Sequence, residues 1–213
     1  MSVNFGLYYM HETLNYYKNN SRSLVKQYES AKVDNIHSLL LKTFPPNSYL
    51  LEIGCGSGRD ANFLHNNDYD IIAIDGSKEM IAEAKRCHPE LTDKLKIAII
   101  PDQLYFELSS FDGVYSIATL MHLDKDEIDQ TLEKIAMILK TNGKFLFSVP
   151  LQRDDVDDQG KDNKGRYFTS MHELDWIRCC EKYALKFKYS EITDDGLDRN
   201  GIVWLTCVVE KGG

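Results

Sequence analysis

The chain lacks any apolar run approaching the roughly 18 residues that a bilayer-spanning helix requires, so no membrane span is expected. It also lacks an excess of positive charge. In 213 residues, 33 acidic side chains stand against 25 basic ones, a net charge of −8. An acidic protein repels a phosphate backbone at long range, which argues against long nucleic acids as partners. The five cysteines (Cys55, Cys87, Cys179, Cys180, Cys207) are odd in number and contain no C-x-x-C pair. That pattern speaks against a disulfide framework and a structural zinc site, and fits reduced thiols in the cytoplasm; no metal is expected. The start, Met1-Ser-Val-Asn-Phe-Gly-Leu-Tyr-Tyr, has no basic stretch before an apolar core and does not read as a signal peptide. Internal repeats are missing too.

What is present is an ordinary globular composition, 43% hydrophobic and 27% charged, in a length suited to one large α/β domain. Apolar residues recur at helical spacing over residues 14–41, and the Pro45-Pro46-Asn47-Ser48 turn then launches a strand at 49–53. A short helix to about residue 66 and a strand at 70–74 come next. Ser77 is placed to cap a helix reaching Cys87, on the apolar set Met80, Ile81 and Ala84. Strands are expected at 94–100 and 113–118, a helix at 125–140 stopped by Asn142-Gly143, and a strand at 144–149. A helix at 171–183 and strands at 185–192 and 202–209 complete the chain. Strand alternating with helix implies a parallel sheet with right-handed crossovers, and the last two strands should form an antiparallel hairpin at an edge. The low-complexity stretch 152–164 reads as a long mobile loop, either a plain connection or a lid.

The densest signal is Leu51-Glu-Ile-Gly-Cys-Gly-Ser-Gly-Arg59. In open α/β sheets ligands bind at the carboxyl ends of the strands, and a glycine turn there removes the side chains between backbone and ligand. A dinucleotide fingerprint requires G-x-G-x-x-G, and Arg59 stands where the third glycine belongs. A phosphate-binding loop would end in Gly-Lys-Ser/Thr, which is missing. An acid ahead of the glycines, Glu52, suits a ligand with positive charge rather than phosphate. S-adenosylmethionine has a sulfonium and an ammonium group and no phosphate. Asp75 ends the second strand, where a carboxylate can accept from both ribose hydroxyls. Asp102, after the third strand, would accept from an adenine amino group.

These motifs, with Ala73-Ile-Asp-Gly-Ser-Lys-Glu-Met80, Pro101-Asp-Gln-Leu104, Ser110-Phe-Asp-Gly-Val-Tyr-Ser116 and Leu139-Lys-Thr-Asn-Gly-Lys-Phe145, resemble the class I S-adenosylmethionine-dependent methyltransferases over about residues 16–150. The resemblance implies a Rossmann-like doubly wound α/β sheet of seven strands in order 3-2-1-4-5-7-6, the last antiparallel, with helices on both faces. It implies a single domain over 1–213, with a helical cap (1–45), a cofactor-binding core (46–150) and a loop, helix and hairpin (151–213). Carried over residue by residue, Glu52, Gly54, Cys55, Gly56, Gly58 and Arg59 would border the methionine end. Asp75 and Gly76 would hold the ribose, Met80 would pack on the adenine, and Asp102, Gln103 and Leu104 would read its edge. Ile117 and Ala118 would line the transferring methyl.

For the acceptor, His122 lies just past the fourth strand and is the candidate general base, ahead of His172. Tyr17 is placed to fold over the site with Tyr16 and Tyr28. Arg166 and Arg199 precede aromatic residues in the variable C-terminal part and would clamp a carboxylate or other anion; pairing with nearby aspartates is the competing reading. Gly-Arg-Asp, Gly-Arg-Tyr-Phe and a late Trp-Leu resemble, loosely, the tellurite-resistance-like small-molecule branch. The expected function is methyl transfer to a small-molecule acceptor. A tRNA-modifying methyltransferase and a non-catalytic S-adenosylmethionine-binding protein are the alternatives.

Overall fold

A computed structural model describes residues 5–197 and 199–213, with backbone alone over 5–11. Two helices, α1 (Phe5–Glu29) and α2 (Asp34–Thr43), precede β1 (Tyr49–Ile53), α3 (Arg59–His65), β2 (Asp70–Asp75) and α4 (Lys78–Cys87). Then come β3 (Leu95–Ile97), β4 (Phe111–Ile117), α5 (Lys125–Ile138), β5 (Leu139–Arg153), α6 (Glu173–Glu181), β6 (Leu185–Asp194) and β7 (Ile202–Lys211). The seven strands form one sheet in the order β3-β2-β1-β4-β5-β7-β6. β1 runs parallel to β2 and β4, and β7 runs antiparallel to both β5 and β6.

Period-two alternation distributes the apolar side chains to two faces. Leu51, Ile53, Val114, Phe145 and Phe147 pack on one side with Ile128, Leu132 and Ile135 of α5 and Trp176 of α6. Leu50, Ile71, Tyr115 and Leu146 pack on the other with Leu40 of α2, Ala61 of α3 and Ile81 of α4. A parallel strand buried on both faces reads as a continuous apolar run, as Tyr49-Leu-Leu-Glu-Ile does.

Local signals set the helix starts. Ser77 Oγ accepts from Met80 N at 3.3 Å, and Asp124 and Glu127 form a reciprocal capping box at α5. Asp112 Oδ2 accepts from Tyr49 N at 2.9 Å where β1 begins, a structural use of that acid.

Three expectations need correction. The helical stretch 14–41 is two helices, because α1 ends at Glu29 and Arg59 Nη1 donates to the Tyr28 carbonyl there at 2.9 Å. The third strand stops at Ile97 rather than residue 100: Gln103 Oε1 takes the Ile99 N–H at 2.9 Å, so no ladder continues. The stretch 152–164 is not a structureless loop. β5 runs on to Arg153, and the bridges Val156↔Asp162 and Lys161↔Tyr167 fold residues 154–167 into a compact flap. That flap ties to α1, with Lys161 Nζ on Glu12 and Tyr167 N donating to Thr13 Oγ1 at 3.1 Å.

Candidate functional site

The carboxyl ends of β1, β2 and β4 open into a cavity of about 340 Å³, roofed by α1, the flap and the β6–β7 hairpin. That volume suits a small molecule. Its floor is the glycine turn. Gly54, at φ +77°, stands so close to Thr119 that a Cβ would lie 2.0 Å from Thr119 Oγ1, so only glycine fits. Gly56, at φ +54°, lies under the Tyr28 ring. The turn hangs on β2 through Gly54 N and Cys55 N, which donate to the Ile74 carbonyl at 2.8 and 2.9 Å.

Asp75 closes this loop from below. Its carboxylate accepts from Gly56 N at 3.0 Å and from Ser77 N at 2.8 Å. Burial nevertheless raises its pKa to about 6 against those two hydrogen bonds. The group is pinned by backbone yet underused as an anion, which suits a carboxylate that awaits further donors.

Behind the turn, Glu52 and Asp60 are both buried. Asp60 accepts from His37 Nε2 at 2.9 Å and from Arg59 Nε and Nη2 at 2.8 and 2.9 Å. Burial opposes its ionisation, but the hydrogen bonds from His37 and Arg59 prevail and hold it below the usual carboxylate range. Glu52 accepts from Tyr115 Oη at 3.1 Å, and burial, reinforced by the Asp60 charge, pushes it well above that range. Asp60 was absent from the expected set, although it directly follows Arg59 in Gly-Arg-Asp. Arg59 lines the cavity, but its donors serve Asp60 and Tyr28.

Glu52, Gly54, Cys55, Gly56, Arg59, Asp75, Gly76, Ile117, Ala118, Tyr17, His122, Arg166 and Arg199 all line this one cavity. Gly58, at φ +80°, forms the N-cap of α3 beneath it. Four expected residues lie elsewhere. Met80 is buried among Leu24, Val25 and the tyrosines of α1, its Cε 3.8 Å from where a Cβ on Gly56 would stand. Asp102 and Gln103 are exposed, and Leu104 is in the core. Because β3 ends early, the apolar stretch Ala98, Ile99 and Ile100 supplies the wall instead.

The wall after β4 centres on His122. Its Nδ1 lies 2.7 Å from the Tyr167 carbonyl, which can only accept, so Nδ1 carries the proton. Its Nε2 therefore accepts from Tyr17 Oη at 2.9 Å. Burial lowers the His122 pKa to about 4, so the ring is neutral at physiological pH. Arg166 and Arg199 both point into the cavity and are both paired, with Asp162 and Asp195 at 2.6 Å, so both sequence readings of them hold in part. Arg153, Trp204 and Thr206 line the same space. Arg153 was missed because the fifth strand was expected to end at residue 149; extending it places Arg153 at the carboxyl edge.

Residues 51–147 match the profile of a methyltransferase domain family. The carboxy-S-adenosyl-L-methionine synthase of Campylobacter concisus is 30% identical over 112 residues, 52% of this chain and 47% of that protein. Phosphoethanolamine N-methyltransferase 1 of Zea mays is 25% identical over 169 residues, 73% of this chain and 34% of that protein. The chain thus spans about half or less of the length of these relatives. Its fold matches the 1,6-didemethyltoxoflavin-N1-methyltransferase of Burkholderia thailandensis, solved with that substrate and S-adenosylhomocysteine, at a TM-score of 0.80 and 15% identity, over 100% of this chain and 93% of that one. The likeness holds for the class and does not single out the tellurite-resistance branch. Residues 51–147 thus match a methyltransferase domain, and the sheet that carries them has the fold of a methyltransferase solved with S-adenosylhomocysteine.

Proposed function

We propose that the protein transfers a methyl group from S-adenosylmethionine to a small-molecule acceptor, and that residues 1–213 work as one unit around the shared cavity. The observation that carries this reading is the meeting of Asp75, the glycine turn and the Tyr17–His122 pair in one cavity. The donor set fits the cofactor's chemistry. The Asp75 carboxylate suits a ribose diol, Glu52 and Asp60 suit a cationic amino-acid end, and Ala98 to Ile100 suit an apolar ring face. Nothing in the turn suits a pyrophosphate.

When bound, the cofactor supplies a methyl carbon already activated by a sulfonium, so the protein's work is alignment and exclusion of water. Ala118, held at φ +54°, and Thr119, whose hydroxyl donates to the Ile117 carbonyl at 3.2 Å, shape the wall after β4. Tyr17 is the group placed to meet the acceptor. A base with a pKa near 4 is too weak to strip a neutral alcohol or an ammonium beforehand. Where the acceptor is a hydroxyl, its oxygen becomes strongly acidic once methylated, however. Its proton then passes to the Tyr17 oxygen as the Tyr17 proton moves to His122 Nε2. In this reading His122 positions Tyr17 rather than touching the acceptor.

The small size of the cavity and the acidic surface favour a free metabolite over tRNA, and five free thiols agree with a cytoplasmic setting. Among the described residues no helix is long and apolar enough to cross a membrane. The test is transfer of labelled methyl to a soluble metabolite extract and, in parallel, to bulk tRNA. Label in the small-molecule fraction supports the proposal. Label in tRNA, or binding without transfer to either, replaces it.

A further inference from the structure

We infer that Arg153, Arg166 and Arg199 together form an anion receptor inside the cavity, and that the methyl acceptor carries a carboxylate or phosphoryl group seated on their guanidiniums. This deepens the methyltransferase reading above and rests on it. The three side chains come from separate segments, the end of β5, the flap and the β6–β7 turn, yet all line one cavity.

Each is held in the same manner. Arg153 gives Nε and Nη2 to Asp155 at 2.9 and 2.6 Å. Arg166 gives the same edge to Asp162 at 2.8 and 2.6 Å, and Arg199 gives it to Asp195 at 2.9 and 2.6 Å. A guanidinium has a second two-pronged edge, Nη1 with the outer N–H of Nη2. Among the described residues, no protein group receives a hydrogen bond from that edge of Arg153 or Arg199. Arg166 lies beside Tyr17, the residue placed to meet the acceptor.

Each aspartate orients its guanidinium while balancing its charge, so what is left to a ligand is the open N–H edge. The Asp162 and Asp195 side chains are 1% and 2% exposed, one lone-pair face turned to each arginine. The Arg153 side chain is only 5% exposed, so its open edge is satisfied only by what enters the cavity. The three also lie close together. Phe168 has the Arg153 Cζ at 3.9 Å and the Arg166 Cζ at 5.1 Å from its ring centroid. The Arg166 charge bears on Arg199, and Asp155 feels both Arg153 and Arg166. Fixed, partly desolvated forks recognise planar oxyanions at short range. Glu191 and Asp194 also line the cavity, so the attraction is local and favours a short anion that reaches the forks.

The test is calorimetry on the full chain saturated with S-adenosylhomocysteine, with inorganic phosphate and with the matched pair benzoate and benzamide as probes. Phosphate or benzoate should bind at one saturable site and benzamide should not. Arg153→Gln and Arg199→Gln should each weaken the anion by about tenfold or more, with S-adenosylhomocysteine affinity unchanged. Arg153→Lys should recover little, because an ammonium has no second fork. Equal binding of benzamide and benzoate, no anion binding, or anion binding untouched in both variants would overturn the receptor. If S-adenosylhomocysteine itself fails to bind, the methyltransferase reading falls, and the same titrations on the free protein still decide the receptor.

Discussion

Tyr17 on α1 and His122 after β4 lie 105 residues apart in sequence, and the Tyr17 hydroxyl donates to His122 Nε2 at 2.9 Å. His122 is fixed in turn by the Tyr167 carbonyl of the flap at 2.7 Å. One imidazole thus joins the cap helix, the strand-end loop and the flap over the cavity. If the proton takes that route, Tyr17→Phe and His122→Gln should each lower turnover by about 10²-fold or more. The double variant should be little worse than either single one, because the residues act as a unit. Calorimetric affinity for S-adenosylhomocysteine should hardly change. Additive losses would mean two independent roles.

Two buried groups should oppose each other in the acid stability of the ligand-free protein. His122 falls from 6.5 to about 4 on folding, so its contribution is complete above pH 6.5 and is lost as pH drops toward 4. Asp75 rises from 3.8 to about 6, so its contribution is complete below 3.8 and is lost as pH climbs through 6. Each is worth at most about 3 kcal/mol, and less with solvent screening. Around His122, Arg166 and Arg153 oppose protonation and Asp162 favours it. Melting between pH 4 and 6.5 should show the pair by subtraction. His122→Gln should leave a protein that loses stability as pH rises, and Asp75→Asn one that loses it as pH falls.

Asp75 should also set a pH limit on cofactor binding. A carboxyl group near pKa 6 accepts from ribose hydroxyls more strongly when ionised, so affinity should be level above about pH 7 and decline below 6. Asp75→Ala should cost about 1–3 kcal/mol of that affinity. Asp102→Ala is the control, exposed and off the cavity wall, and should bind as the parent does. A reversed order in a titration series would place the adenine on residues 102–104 after all.

The glycines of the turn should not be equivalent. A Cβ on Gly54 meets Thr119 at 2.0 Å and the residue sits at φ +77°. Gly54→Ala should therefore lower the melting temperature and abolish cofactor binding. A Cβ on Gly56 has its nearest neighbour at 3.5 Å, the Tyr28 ring, so Gly56→Ala carries mainly the left-handed backbone cost of about 1–2 kcal/mol. Thermal melts of the two variants, with and without S-adenosylhomocysteine, separate these cases.

The strands and the glycine turn were legible in the order of residues, and the strand order followed from the family resemblance. The strands and the turn depend on local patterns: an apolar run that ends in Glu52, glycines that admit a left-handed turn, an acid closing β2, Ser77 at a cap. Each can be read within about ten residues, because a strand and its turn are nearest neighbours in the chain. The remaining features arose only on folding. Strand lengths were set by pairing, so β3 stopped short and withdrew Asp102, while β5 ran on and delivered Arg153 to the cavity. Met80 shows the same limit, since its place under α1 depends on helix packing that no local pattern records. The Tyr17–His122 bond and the three arginine forks join segments far apart in sequence. Such contacts have no periodicity to read; they arise when α1, the flap and the last hairpin fold over the same strand ends.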